Sequence, residues 1–305
     1  MNVNRSMSGT DWAILLALAV IWGGSFFFVE IAVRSVAPLT LVLIRVALAS
    51  AFLWIFLIAR GERLAMPPGA AWSFLVLALL NNVVPFTMFV WAQETITSGL
   101  ASILNATTPI WGVIVAHACT ADEKATPAKI AGVLLGFGGV ALMIGPDFLG
   151  QIGTGVLAQL ACLAATLCYA LAGVWARRFR VMGVPPVAVA TGQLTASALV
   201  MLPLVLLFEP PWRAAAPSPE AWMALVALAL FCTSLAYILY FRLISSAGAT
   251  NSLLVTFLIP ITAILLGVLI LHEHLAPRHF AGMALIGAGL AAIDGRIFKR
   301  RPAMA

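Results

Sequence analysis

The chain has 305 residues, of which 63% are apolar and 9% charged, with a mean hydropathy of +1.07 and a formal net charge of +6. One soluble core of this length cannot hide so much apolar surface, so lipid is the main solvent of the chain. The basic residues are spread over six loops and tails and form no single basic face, which excludes a nucleic-acid surface.

A helix rising about 1.5 Å per residue needs about 20 apolar residues to cross roughly 30 Å of hydrocarbon. Apolar runs broken by charge, Pro/Gly or polar clusters predict spans at 12–32, 39–59, 70–91, 97–117, 127–145, 152–175, 187–208, 220–241, 248–271 and 277–293. The fold class is therefore an all-α membrane protein of ten transmembrane helices. The first run follows Arg5, is too long for a signal core and lacks a small-x-small cleavage site, so it reads as a span. The longest link, Glu209 to Glu220, carries four prolines and is too short for a folded domain.

Charge orients the spans. With the N-terminus inside, the inner segments hold Arg5, Arg60, Arg63, Lys124, Lys129, Arg177, Arg178, Arg180, Arg242, Arg296, Lys299, Arg300 and Arg301. The outer segments hold only Arg34, Arg213 and Arg278, so both termini are expected on the cytoplasmic side. Cys119, Cys162, Cys168 and Cys232 form no C-x-x-C pair and read as free, buried thiols acting as small hydrophobes.

The halves repeat. Glu123/Glu273, Pro127/Pro277, Gly132/Gly282, Gly139/Gly289 and Gly145/Gly295 are each 150 positions apart, and Pro109/Pro260 are 151 apart. The repeat unit is five spans, and an odd number inverts the second copy in the membrane. Two inverted halves can exchange conformations and open a central site to either side alternately, which a channel or an enzyme does not need.

With Trp22-Gly23-Gly24-Ser25-Phe26 in the first span, Arg45 in the second and the Glu-x-x-x-Pro turns at Glu123 and Glu273, the chain resembles the drug/metabolite transporter superfamily, specifically its ten-span EamA-type exporters. Within that family it is most similar to the amino-acid and aromatic-amino-acid exporters of bacterial inner membranes. The resemblance implies one EamA-like five-helix repeat at 1–146, a second at 147–296 and a basic cytoplasmic tail at 297–305.

Polar, small and aromatic stripes on the spans face other helices or a cavity. Candidate substrate contacts are Trp22 and Phe26 in the first span, Asn82 and Phe86 in the third and Asn105 in the fourth. Tyr169, Ser234, Tyr237 and Thr256 are their counterparts in the second half. Phe89 and Gln93 extend the stripe of the third span, Ser102 and Gly112 that of the fourth, Cys162, Thr166 and Gly173 that of the sixth, Phe241 that of the eighth, and Ser252 and Gly267 that of the ninth. The competing reading is that the small and hydroxyl residues permit close packing and the aromatics fill the core. Pro109 and Pro260 lie near the middle of matched spans, where a lost N–H predicts a hinge or broken helix; the bland alternative is a tolerated kink.

Arg45 lies about six residues, roughly 9 Å, from the outer end of its span, where it can snorkel to the surface or pair with Glu30; structural pairing is expected ahead of substrate contact, though a carboxylate-bearing solute would suit it. The corresponding region of the second half has uncharged Gln193. His272-Glu273-His274 does not read as a metal site, because His at i and i+2 point apart, so neither metal nor cofactor is expected. Gly132, Gly136 and Gly139, with Gly282, Ala288 and Gly289, form small-residue packing edges, either within the bundle or between protomers. The sequence leaves monomer and homodimer open.

No Asp or Glu lies at the centre of a span, so the usual carboxylate for proton or sodium coupling is missing. No Walker sequence and no Ser/His/Asp grouping is present. The leading expectation is an inner-membrane exporter of amino acids, aromatic ones included, or similar small metabolites, with the solute and membrane lipid as partners. Multidrug efflux is the second expectation, and a lipid-handling protein or membrane-embedded enzyme the third.

Overall fold

The structure is a computed structural model describing residues 7–64, 66–120, 125–144, 154–213, 216–247 and 255–294. Among the described residues the chain forms ten helices: α1 Gly9–Ala32, α2 Pro38–Ala59, α3 Ala70–Ala92, α4 Ser98–Cys119, α5 Pro127–Ile144, α6 Thr154–Val181, α7 Pro186–Phe208, α8 Pro219–Ile244, α9 Val255–Ile270 and α10 Pro277–Asp294. Seven of these, α1 to α4 and α6 to α8, are long and apolar enough to cross a membrane. The Glu123 turn with Lys124, Gly145, Gly295, Ser252, the tail 297–305 and all the basic residues used for orientation at the two termini lie outside the described residues.

Local chemistry sets the helix starts. Proline occupies the first helical position of α2, α5, α7, α8 and α10, where its missing N–H has no intrahelical partner to lose. Ser8 and Asp11 form a reciprocal capping box on α1, and Ser218 caps α8. Two starts are capped from the other half. Glu209 accepts from Leu39 N and Thr40 N at the head of α2, at 3.1 and 2.7 Å. Glu273 accepts from Ser98 N and Gly99 N at the head of α4, at 2.9 and 3.1 Å. Carboxylates suit these places because helix N-termini expose unpaired donors and the positive end of the dipole.

The packing is itself duplicated. α5 lies against α10 and α2 against α7, each helix meeting its own counterpart. The remaining main contacts come in exchanged pairs: α1 with α9 and α6 with α4, α3 with α6 and α8 with α1, α3 with α7 and α8 with α2. The helices pair as a pseudo-two-fold relation between halves requires. Both large apolar cores mix the halves, one centred on α2, α7 and α8 and the other on α4 and α6.

Some expectations change. α6 continues to Val181, beyond the predicted end at 175, because Arg178 and Arg180 favour a helix C-terminus and the Arg178 guanidinium lies 4.0 Å over the Trp175 ring. Cys162 and Cys232 are buried free thiols, but Cys119 is exposed at the end of α4 and Cys168 is half-buried, so a shared buried role does not hold. Pro260 sits inside a continuous helix, whereas α4 breaks at Ala106 and Thr107 just before Pro109.

The small-residue edges pack within the bundle. A Cβ on Gly139 would lie 2.6 Å from the Gly282 carbonyl oxygen, and one on Gly289 would lie 2.5 Å from that of Gly132. Without a hydrophobic drive between helices in lipid, such close backbone approach is what holds α5 to α10. Gly138, one residue away, is exposed, and a Cβ added there would meet nothing within 4 Å. Thermal unfolding in detergent should separate the two: Gly139→Ala is expected to lose about 1–3 kcal/mol through overpacking, while Gly138→Ala stays level or gains up to about 1 kcal/mol from helix propensity.

Candidate functional site

The middle of the bundle is organised by two irregular turns. In α3, Leu79–Val83 forms a π-helical turn, and in α8, Leu230–Leu235 does the same at the matching place in the second half. Pro85 accounts for part of the first, since it has no N–H to return to a carbonyl one turn earlier. In the second, hydroxyls stand in: Thr233 Oγ1 donates to Leu228 O at 2.8 Å and Ser234 Oγ donates to Ala229 O at 2.9 Å, each five residues back. An extra residue in the turn rotates the helix phase, so neighbouring side chains face the same interior space.

Asn81 and Asn82 show this effect. Asn81 Nδ2 donates to Gln193 Oε1 and to Tyr237 Oη, both at 3.0 Å. The Tyr237 hydroxyl donates onward to Asn82 Oδ1 at 3.2 Å, and Asn82 Nδ2 donates to Ser197 Oγ at 3.0 Å. The network joins α3 of the first half to α7 and α8 of the second. Asn82 is fully buried and has its hydrogen bonds made within the protein, so it holds the network together, while half-buried Asn81 borders the accessible space. Sequence periodicity missed Asn81 because a regular 3.6-residue stripe through Asn82 excludes its neighbour.

Two runs of aromatic rings flank the network. Phe26 meets Phe89 edge-on at 5.6 Å, and Phe89 stacks on Tyr169 at 6.2 Å, linking α1, α3 and α6. Trp22 meets Tyr240 at 5.2 Å, Tyr240 meets Phe241 at 6.1 Å, and Phe241 stacks on Tyr237 at 6.1 Å, linking α1 to α8. Trp22, Phe26, Tyr169 and Tyr237 are all half-buried, and Phe86 is buried beneath Arg45.

Arg45 corrects an expectation. It does not pair with Glu30: its Nε donates to Thr233 Oγ1 at 2.9 Å, and its guanidinium carbon sits 3.9 Å over the Phe86 ring. Glu30 instead lies 4.0 Å from Arg34, one turn along its own helix. The side chain of Arg45 extends from α2 toward α3 and α8, away from the end of α1 where Glu30 stands. Thr233, which holds it, carried no distinguishing signal in the sequence, since the π turn alone brings it into line.

Other candidates fall elsewhere. Ser234 is fully buried and shares its one hydroxyl hydrogen between Ala229 O and Ala49 O, the latter at 3.1 Å, tying α8 to α2, so it faces backbone and not a ligand. Gln93 is buried and donates to Phe26 O at 2.8 Å. Asn105 ends the first segment of α4, is half-buried, and its amide makes no hydrogen bond with a described residue or with the network around Tyr237. Thr256 is half-buried on α9. At the α4 break the freed carbonyls are already occupied: the Thr107 hydroxyl donates to Leu104 O and the Thr108 hydroxyl to Asn105 O, both at 2.7 Å. Glu273, central to the His272–His274 cluster, is engaged by the α4 backbone.

A network between inverted-repeat halves, at the mid-depth of the spans, is the arrangement of a membrane transporter. The chain belongs to the EamA-like transporter family, whose model matches residues 11–145 and again 156–293. That is a family of transporters and not of enzymes. The chain is similar to the uncharacterized transporter YoaV of Bacillus subtilis, at 22% identity over 90% of this chain and 94% of the relative. It is 29% identical to an uncharacterized transporter of Archaeoglobus fulgidus over 85% and 89% of the two chains. It is 25% identical to the uncharacterized inner membrane transporter YedA of Escherichia coli over 95% and 93%. A solved crystal structure with 21% identity matches at a TM-score of 0.69, covering 98% of this chain and all of the other, and shares the fold.

The network and the Asn105 amide, which no described residue engages, make opposite predictions for stability. In thermal unfolding, Asn82→Ala and Tyr237→Phe should couple by about 0.5–3 kcal/mol in a double-mutant cycle. Asn105→Ala should stay within about 0.5 kcal/mol of the parent protein.

Proposed function

We propose that the protein exports amino acids, aromatic ones included, or similar small metabolites across a bacterial inner membrane by alternating access, with both termini cytoplasmic. The halves at 1–146 and 147–296 are the moving units in this reading. What supports it is one observation: the two matched π turns bring a polar network and two aromatic runs together at the interface of the halves, midway along their spans. Irregular helix segments at corresponding places in two repeats are the structural signature of a transporter's binding site. The aromatic rings suit the apolar or aromatic part of a solute, and Asn81, Tyr237 and the amide of Asn105, which no described residue engages, suit its polar ends.

A second reading, multidrug efflux, draws on the same rings, since stacked aromatics also attract lipophilic cations. Purified protein in liposomes preloaded with labelled amino acids decides between them. Efflux well above that of empty liposomes is expected, and Tyr169→Ala is expected to reduce it. Absence of flux for every amino acid overturns the substrate, and protection of cells against dyes in that case selects the second reading. Unchanged flux in Tyr169→Ala and Asn105→Ala overturns the site while leaving the function standing.

A further inference from the structure

Among the described residues Arg45 is the one cation that the bundle keeps at depth, and the contacts around it are unusual. It is 7% exposed. A charge withdrawn from water in this way is ordinarily paired with an opposite charge. Among the described residues no carboxylate lies within ion-pair distance of it. The ionisable groups near enough to interact are Tyr169, Tyr237 and Cys232, phenols and a thiol that carry no charge at neutral pH.

The guanidinium is nevertheless held in place. Phe86 supports one face of its plane, and Thr233 takes the Nε–H. Thr233 can do so because its own hydroxyl hydrogen goes to Leu228 O, leaving its lone pairs for Arg45. Of the five N–H donors of an arginine, the four on the two terminal nitrogens make no hydrogen bond with a described residue, and neither nitrogen is fully sealed from the accessible space. A fixed, planar, charged fork with free donors matches the geometry of a carboxylate, which accepts two parallel N–H bonds.

Resting on the transport reading above, we propose that Arg45 is the carboxylate anchor of the solute, so that the protein selects organic monocarboxylates and rejects lipophilic cations. One guanidinium balances one negative charge. A phosphate dianion leaves a charge uncompensated at this depth, and a lipophilic cation meets an unscreened like charge beside the Tyr169 and Tyr237 rings. The Phe26–Phe89–Tyr169 run then receives the rest of the molecule.

Three probes of one shape test this in proteoliposomes: phenylalanine, phenethylamine, which lacks the carboxylate, and 3-phenylpropionate, which lacks the ammonium. Phenylalanine and phenylpropionate are expected to be carried and phenethylamine excluded. Arg45→Met should reduce phenylalanine flux about 30-fold or more, the usual loss when one partner of a buried charge-assisted pair is removed, with Arg45→Lys intermediate. Should the variants fold poorly, the parent protein still answers: phenylalanine should raise its melting temperature and phenylalaninamide should not. Carriage of phenethylamine at the rate of phenylalanine, or equal melting shifts from the acid and the amide, overturns the anchor while amino-acid transport stands. Carriage of phenylpropionate alone overturns the amino-acid reading while the anchor stands. Absence of any flux or melting shift overturns both.

Discussion

In hydrocarbon a backbone N–H or C=O without a partner costs several kcal/mol, so a membrane helix departs from regular geometry only where something inside the protein replaces the lost bonds. The α3–α8 region meets that demand in more than one way. Pro85 removes a donor in α3, the Thr233 and Ser234 hydroxyls reach five residues back in α8, and the Thr107 and Thr108 hydroxyls cover the carbonyls left at the break in α4. Each irregularity lies on a helix that borders the other half. The polar centre of the bundle thus follows from where its helices are allowed to be irregular.

The scaffold is far more symmetric than the chemistry it carries. Helix contacts exchange between halves almost pair for pair, and both π turns fall at matching depth. Yet the first half supplies Asn81, Asn82 and a cation at Arg45, and the second supplies Gln193, Tyr237 and Thr233. Exchange of conformations needs only the packing to be similar in both halves. Unlike groups meet only where the halves touch, in the network between α3, α7 and α8, so similar packing and dissimilar chemistry do not compete.

The spans, the duplication and the packing glycines were legible in the sequence because each rests on a pattern that survives folding: runs of apolar residues, a fixed offset, small residues at helical spacing. The same periodicity put Trp22, Phe26, Tyr169 and Tyr237 on interior stripes, and the structure joins their rings into two aromatic runs. Asn81 and Thr233 were not, because a π turn breaks the 3.6-residue rule that selects a stripe, and nothing in LLNNV or LFCTSL announces the extra residue. The Arg45–Glu30 pairing failed for a related reason. Depth along two spans can be counted from sequence, but the direction in which a long side chain leaves its helix depends on which neighbour offers it a ring and an acceptor.

The placement of charge completes the argument. Asp11 accepts from Ser8 and from Ser246, joining the start of α1 to the end of α8, while Glu209 and Glu273 cap helices of the opposite half. These carboxylates sit at span ends, where helix N-termini or hydroxyls satisfy them, and they link the halves through bonds that are close to water. Among the described residues Arg45 alone stands deep, with its plane supported and its terminal donors open. Charge at the ends therefore serves to hold the halves together in one arrangement, and the charge in the middle is left without a structural counter-ion. A buried cation that the fold positions and that no described carboxylate neutralises makes the centre of the bundle the place where its electrostatics are least balanced.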